Sequence, residues 1–188
     1  MSIGRHRFNI YLLLLIAALA VSCGTTKTPE EKKKETEEKK KDKLAATLRV
    51  HVEVHSASGK TFSDEATVFR EAPVTFTVSR SPILTEADIK EARVVDSHGA
   101  FVLQVQFDEH GTMLLEQFTT MNPGKHFPIF AEWGEHMTEH RWLAAPVIPK
   151  RIANGLLTFT PDATREETEQ IARGLMNVGK KVQKELAW

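Results

Sequence analysis

From Leu48 to His55 the chain alternates strictly, with Leu48, Val50, Val52 and Val54 on one side and Arg49, His51, Glu53 and His55 on the other. Val74, Phe76 and Val78 repeat the period of two, as do Phe101, Leu103, Val105 and Phe107 opposite Gln104 and Gln106. Such alternation predicts antiparallel strands with one face packed and one face in water. Further strands are predicted over 92–96, Phe127–Trp133, Trp142–Ile148 and Leu156–Thr160, with Ser97-His98-Gly99 and Asn154-Gly155 supplying turn chemistry.

The apolar period lengthens to that of a helix in two places. Asp108 is the predicted N-cap of a helix carrying Leu114, Leu115, Phe118 and Met121 on one face, stopped by Asn122-Pro123-Gly124. Thr164 and Glu167 have capping-box spacing before a second stripe of Ile171, Leu175, Val178, Val182 and Leu186. A shorter helix is predicted over Thr85–Ala92. Strands with interspersed helices predict a single α+β domain over 45–188: a two-layer sandwich, mainly antiparallel sheet, with two main helices packed on one face.

The N-terminal end reads differently. Arg5 and Arg7 precede an apolar run from Ile10 to Val21, too short for the roughly 20 residues a membrane-spanning helix needs. A basic start, a short apolar stretch and small residues at its end make a secretory signal peptide over 1–22. Leu19-Ala20-Val21-Ser22-Cys23 resembles the lipobox of bacterial lipoproteins, which implies cleavage between Ser22 and Cys23 and lipid attachment at Cys23. Several acyl chains, at about 0.8 kcal/mol per buried methylene, hold a domain on a membrane stably where one chain does not. Residues 24–43 hold eight Lys, six acids and no large apolar side chain, so 23–44 is expected to be a charged, solvated tether.

Charge alters the picture little. The 188 residues balance 25 Lys+Arg against 25 Asp+Glu, but the imbalance of the first 43 residues leaves about −4 on 44–188. That balance lacks the basic footprint of a nucleic-acid binder. A single cysteine excludes an intrachain disulfide framework.

From about Ile83 onward the residues resemble the head part of the first periplasmic domain of SecD/SecDF, a membrane component of protein export. The resemblance rests on Leu84-Thr85-Glu86-Ala87-Asp88-Ile89, Val102-Leu103-Gln104-Val105-Gln106-Phe107-Asp108 leading through Gly111 to Phe118, and Leu143-Ala144-Ala145-Pro146-Val147-Ile148 with Ile152 and Gly155. Phe159, Thr164, Glu166-Glu167, Ile171-Ala172 and Leu175 complete it. It implies the fold and a role in contacting polypeptide outside the cytoplasm. It does not imply proton-driven translocation, because no second apolar span follows in this sequence.

Candidate chemistry is sparse. His136 and His140 stand four apart, beside Glu132, Glu135 and Glu139, and would share a metal if that segment were helical. The segment lies between two predicted strands, so a polar hairpin tip explains it without a metal. His51 and His55 share one strand face and are the other candidate ligands, with a solvated sheet face as the simpler explanation. No Gly-x-Ser-x-Gly elbow or phosphate-binding glycine loop occurs. The expectation is therefore a non-enzymatic binding module with no cofactor, bound to membrane lipid through Cys23 in the cell envelope. Its domain is expected on the extracytoplasmic side, contacting protein or peptide partners and accessory to export. A structural lipoprotein of envelope assembly and a metal-binding protein using His136 and His140 are the alternatives.

Overall fold

The alternating Leu48–Val50 stretch sits in strand β1 (Ala45–Val50), which pairs antiparallel with β6 (Ile129–Gly134), Leu48 opposite Ala131. β6 in turn pairs with β7 (Glu139–Ala144). This computed structural model describes residues 41, 43–55 and 62–186, all within one compact unit, Glu37–Trp188. The signal peptide, Cys23 and most of the tether lie outside the described residues.

Past Val50 the backbone remains extended and bonds on both sides. The amides of His51 and Glu53 donate to Pro128 O and His126 O, while Val54 N donates to Thr77 O and Val52 O accepts from Ser79 N. Those last two bonds join β1's continuation to a hairpin made of β2 (Ser63–Val68) and β3 (Val74–Ser79). A second sheet has the order β4 (Ile89–Ser97), β5 (Ala100–Phe107), β8 (Leu156–Phe159), all antiparallel.

Two helices close the core. α1 (Glu109–Met121) starts where expected: Asp108 accepts from Gly111 N at 2.8 Å. α2 (Arg165–Leu186) opens on the predicted capping box, with Thr164 N donating to Glu167 Oε2 at 2.7 Å and Glu167 N donating to Thr164 Oγ1 at 3.2 Å. α2 packs on β1, β4 and β6. Ile171 and Leu175 thereby join Leu48, Leu103, Phe107, Leu115, Ile129 and Trp133 in one buried cluster. The α+β class with antiparallel sheet and two main helices is the observed one.

Several expectations are corrected. The predicted helix over Thr85–Ala92 shrinks to a 3-10 turn, Glu86–Asp88, and β4 starts at Ile89. Asp88 Oδ2 accepts from Thr85 N and Oγ1, which tightens a single turn, and the ladder to β5 then captures the chain. The strand placed at Trp142–Ile148 runs over Glu139–Ala144, ending before Pro146, which has no amide to continue it. On α1 Leu115 is buried with Gly111 and Thr119, Leu114 and Phe118 pack half-buried against the core as expected, and of the predicted stripe Met121 is the residue left exposed.

His51 is the largest departure, since it was expected to face water and is buried instead. The β2–β3 hairpin covers this part of the sheet. The imidazole Nδ1 donates to Ser79 O at 2.7 Å, its ring meets Trp142 edge-on at 5.2 Å, and Trp142 in turn meets Phe130 edge-on at 5.2 Å. Burial pushes the His51 imidazole below its ordinary value and Arg49 adds to this, against the opposing pull of the Ser79 bond and Asp64. Below about pH 6.5 the unfolded chain therefore takes a proton before the folded one does. Stability should fall as pH drops through that value and level off below the depressed folded one. Urea midpoints across about pH 7 to 5 should show this slope, and His51→Gln, neutral throughout, should flatten it. An unchanged slope in the variant would contradict the assignment. Further down, Glu53 and Glu167 act in the same direction. Burial alone would raise both, but hydrogen bonds from His126 at Glu53, and from Thr164 N and Arg141 at Glu167, hold both low. Their contribution is present above about pH 4.3 and lost as pH falls through the depressed values.

Candidate functional site

α1 is held to the rest of the domain at its ends and along buried Gly111, Leu115 and Thr119, with half-buried Leu114 and Phe118 beside them. A Cβ on Gly111 would come within 2.9 Å of both Asp88 Cβ and Phe107 Cβ, so its absence lets the first turn settle against the 3-10 turn. At the middle, buried Thr119 donates to Leu115 O and accepts from Ile152 N at 3.0 Å. At the far end Asn122 N donates back to Phe118 O. On the opposite flank of α1, Met113, Gln117 and Thr120 are exposed among the described residues. Between that flank, the start of β4 and Gly179 of α2 runs a groove of about 970 Å³ with Ile89, Phe107, Met113 and Met121 among its walls. Met113 and Met121 are 58% and 60% exposed, values that mark them as surface rather than core. Met121 also borders a smaller hollow of about 480 Å³, walled by Val52, Val54, Ile83 and Phe118.

The chemistry of this groove is that of adaptable apolar contact. Unbranched thioethers change rotamer cheaply and fit side chains of varied shape. Lys90, Glu109, Glu116 and Gln117 supply a mixed polar rim. The apolar period along the sequence puts Met121 on the buried stripe and leaves Met113 without a role. The signal available was that Met113 lies outside the Gly111–Leu115–Thr119 line, which only the packing identifies.

Asp88, Asp108 and His110 place ligand-type atoms within 4.8 Å of one another at the groove's end, the one such cluster among the described residues. Their geometry is that of the local fold. Asp88 Oδ1 meets His110 Nδ1 at 2.8 Å, Asp88 Oδ2 holds Thr85, and Asp108 Oδ1 caps α1. Three of the four carboxylate oxygens thus have protein partners.

The sequence-predicted site residues do not converge. His136 is exposed in the turn between β6 and β7, a hairpin tip as read from the sequence, with Met137 at φ 55°. His140 is exposed on β7 opposite Glu132, its ring 6.4 Å from Phe130. The two histidines are on an extended hairpin, not one helical face. His51 is buried against Ser79 and Trp142, and His55 is exposed beyond the bonded part of its strand. Ser22 and Cys23 lie outside the described residues. No described helix is long and apolar enough to cross a membrane.

Comparison with known proteins places this architecture. No curated protein matches the chain. Among solved structures, one of a membrane component SecDF that enhances protein export is 19% identical with a TM-score of 0.51, covering 81% of this chain and 70% of that one. A crystal structure of SecDF in super-membrane-facing form is 20% identical with a TM-score of 0.50, covering 80% of this chain but only 21% of its own. At such identity these likenesses establish the fold alone. Residues 63–179 match the SecDF P1 head subdomain, a stretch that begins about twenty residues before Ile83 and takes in the β2–β3 hairpin. Over most of its length, then, the chain belongs to the SecDF P1 head family.

Proposed function

We propose that this protein is a lipid-anchored binding module on the extracytoplasmic side of the envelope that contacts polypeptides during protein export. Membership of the P1 head family is the observation that carries this reading, because a SecDF structure of the same fold is described as enhancing protein export. The groove along α1 supports it. Its volume suits several side chains of an unfolded segment, and exposed Met113 and Met121 suit partners of varied sequence. The anchor is Cys23 after cleavage at Ser22, and 24–43 is the spacer that gives the domain reach over the membrane surface.

Two measurements test it. Cys23→Ser should move the protein from the membrane fraction to the soluble extracytoplasmic fraction; retention on the membrane would refute the anchor. A photo-crosslinking residue at Met121 should capture polypeptides in transit, and the products should vanish when export is blocked. Crosslinks that persist unchanged under the block, or none at all, would refute the export role.

A further inference from the structure

The sequence has five methionines, and the structure sets two of them apart. Met113 and Met121 stand eight residues apart on α1, about 12 Å along its axis, and both wall the same groove with exposed side chains. Met176 is the opposite case. It packs half-buried against the core, and its Sδ accepts from Ala92 N at 3.2 Å, so one sulfur lone pair is already engaged. Met137, half-buried in the β6–β7 turn, is not part of the groove wall, and Met1 lies outside the described residues.

Exposure matters here through the chemistry of sulfur. A thioether is oxidised where an oxidant can reach it and water can solvate the polar product. Met113 and Met121 meet both conditions, and Met176 is shielded on both counts. The oxidised form also changes the groove itself. Ile89 and Phe107 line it but are buried, and Ala87 offers only a methyl. The two thioethers are therefore the large apolar groups that a ligand can reach there.

We propose that Met113 and Met121 form an oxidation site that switches this groove from apolar to polar, with a peroxide as the oxidant. In each step a sulfur lone pair attacks one oxygen of hydrogen peroxide, and the S–O bond forms as the O–O bond breaks. The proton on the transferred oxygen passes to the departing hydroxide, which leaves as water. Sulfur loses two electrons and the peroxide gains them. Each sulfoxide oxygen is a strong hydrogen-bond acceptor, and an apolar side chain laid over it leaves it unsatisfied. The reverse step takes a dithiol through a methionine sulfoxide reductase: the oxygen leaves as water and the dithiol becomes a disulfide. The extracytoplasmic placement proposed above puts the domain in an oxidising compartment. The proposal rests on the polypeptide-binding reading and adds the regulation of that same groove.

The test treats the full-length protein with hydrogen peroxide and follows each methionine by peptide mass mapping, beside binding of a ten-residue peptide of alternating Leu and Ser. Met113 and Met121 should gain oxygen at least tenfold faster than Met176. The oxidised protein should bind the peptide at least tenfold more weakly at an unchanged melting temperature, because neither side chain belongs to the buried cluster. A sulfoxide reductase with dithiothreitol should restore binding. Met113→Leu combined with Met121→Leu removes both sulfurs, so peroxide should no longer change its affinity, whereas Met137→Leu should stay as peroxide-sensitive as the wild type. Equal oxidation rates at Met113, Met121 and Met176 would overturn the site. Undiminished binding after oxidation, or a double variant that remains peroxide-sensitive, would overturn the switch. So would a drop in melting temperature large enough to account for the lost binding. A reduced wild type that does not bind the peptide at all would sink the polypeptide-binding reading and the switch with it, while the mapped rates still decide the site.

Discussion

Replacement of Trp133 by alanine is expected to destabilise the domain by about 3–5 kcal/mol, the usual cost of truncating a buried tryptophan. Trp133 is 1% exposed on β6, in register with Ala46 of β1 and Glu139 of β7. Its ring also carries the Arg141 guanidinium at 5.3 Å. The void cannot collapse readily, because ladders fix β6 on both sides and α2 lies over it. Its neighbour across the ladder is an alanine, with no side-chain length to move into the space. In a domain of this size, about 2–4 °C of melting temperature accompanies each kcal/mol, so a fall of roughly 10 °C should be seen. A urea midpoint shift corresponding to less than about 1 kcal/mol would show that the ring is not the keystone of this layer.

Gly174→Val is expected to cost about 3 kcal/mol, at the upper end for overpacking. A Cβ at position 174 would lie 2.6 Å from Ala45 C and 2.7 Å from Ala46 N, backbone atoms that have no rotamer to change. α2 would have to lift off β1, exposing Ile171 and Leu175. The informative comparison is Gly174→Ala. On an unobstructed helix that change stabilises by about 1 kcal/mol, so a destabilised Gly174→Ala variant isolates the cost of the close approach. Gly179, five residues on, provides the control: its Cβ would sit 3.7 Å from Ile89 O, an ordinary contact, and Gly179→Ala should be neutral or stabilising. Chemical denaturation of the three variants decides it. Gly174→Ala more stable than wild type would mean that the helix does not rest on the strand backbone.

Part of the fold and of the site was legible in the sequence and part was not. The Asp108 cap and the Thr164–Glu167 box were readable because each satisfies orphan amides within one turn, a local interaction that spacing encodes. Met113 and Met121 were not readable as a surface. On a helix wheel a methionine beside the apolar stripe counts as core, and only the position of β4 and α2 leaves that flank open. The histidines failed for a related reason. His51 follows the polar phase of its strand, yet a hairpin more than ten residues away covers it and replaces water by Ser79 O and Trp142.

By itself the sequence determined the α+β class, the two main helices with their starts, the N-terminal segment with its lone cysteine, and the resemblance that the family match extends. All of these depend on short-range periodicity, capping or motif order. Tertiary structure alone decided which flank of α1 stays open and that β1's continuation bonds on both sides. Those outcomes depend on which strand meets which, and partner choice between distant segments is set by the collective packing of the core rather than by any local pattern.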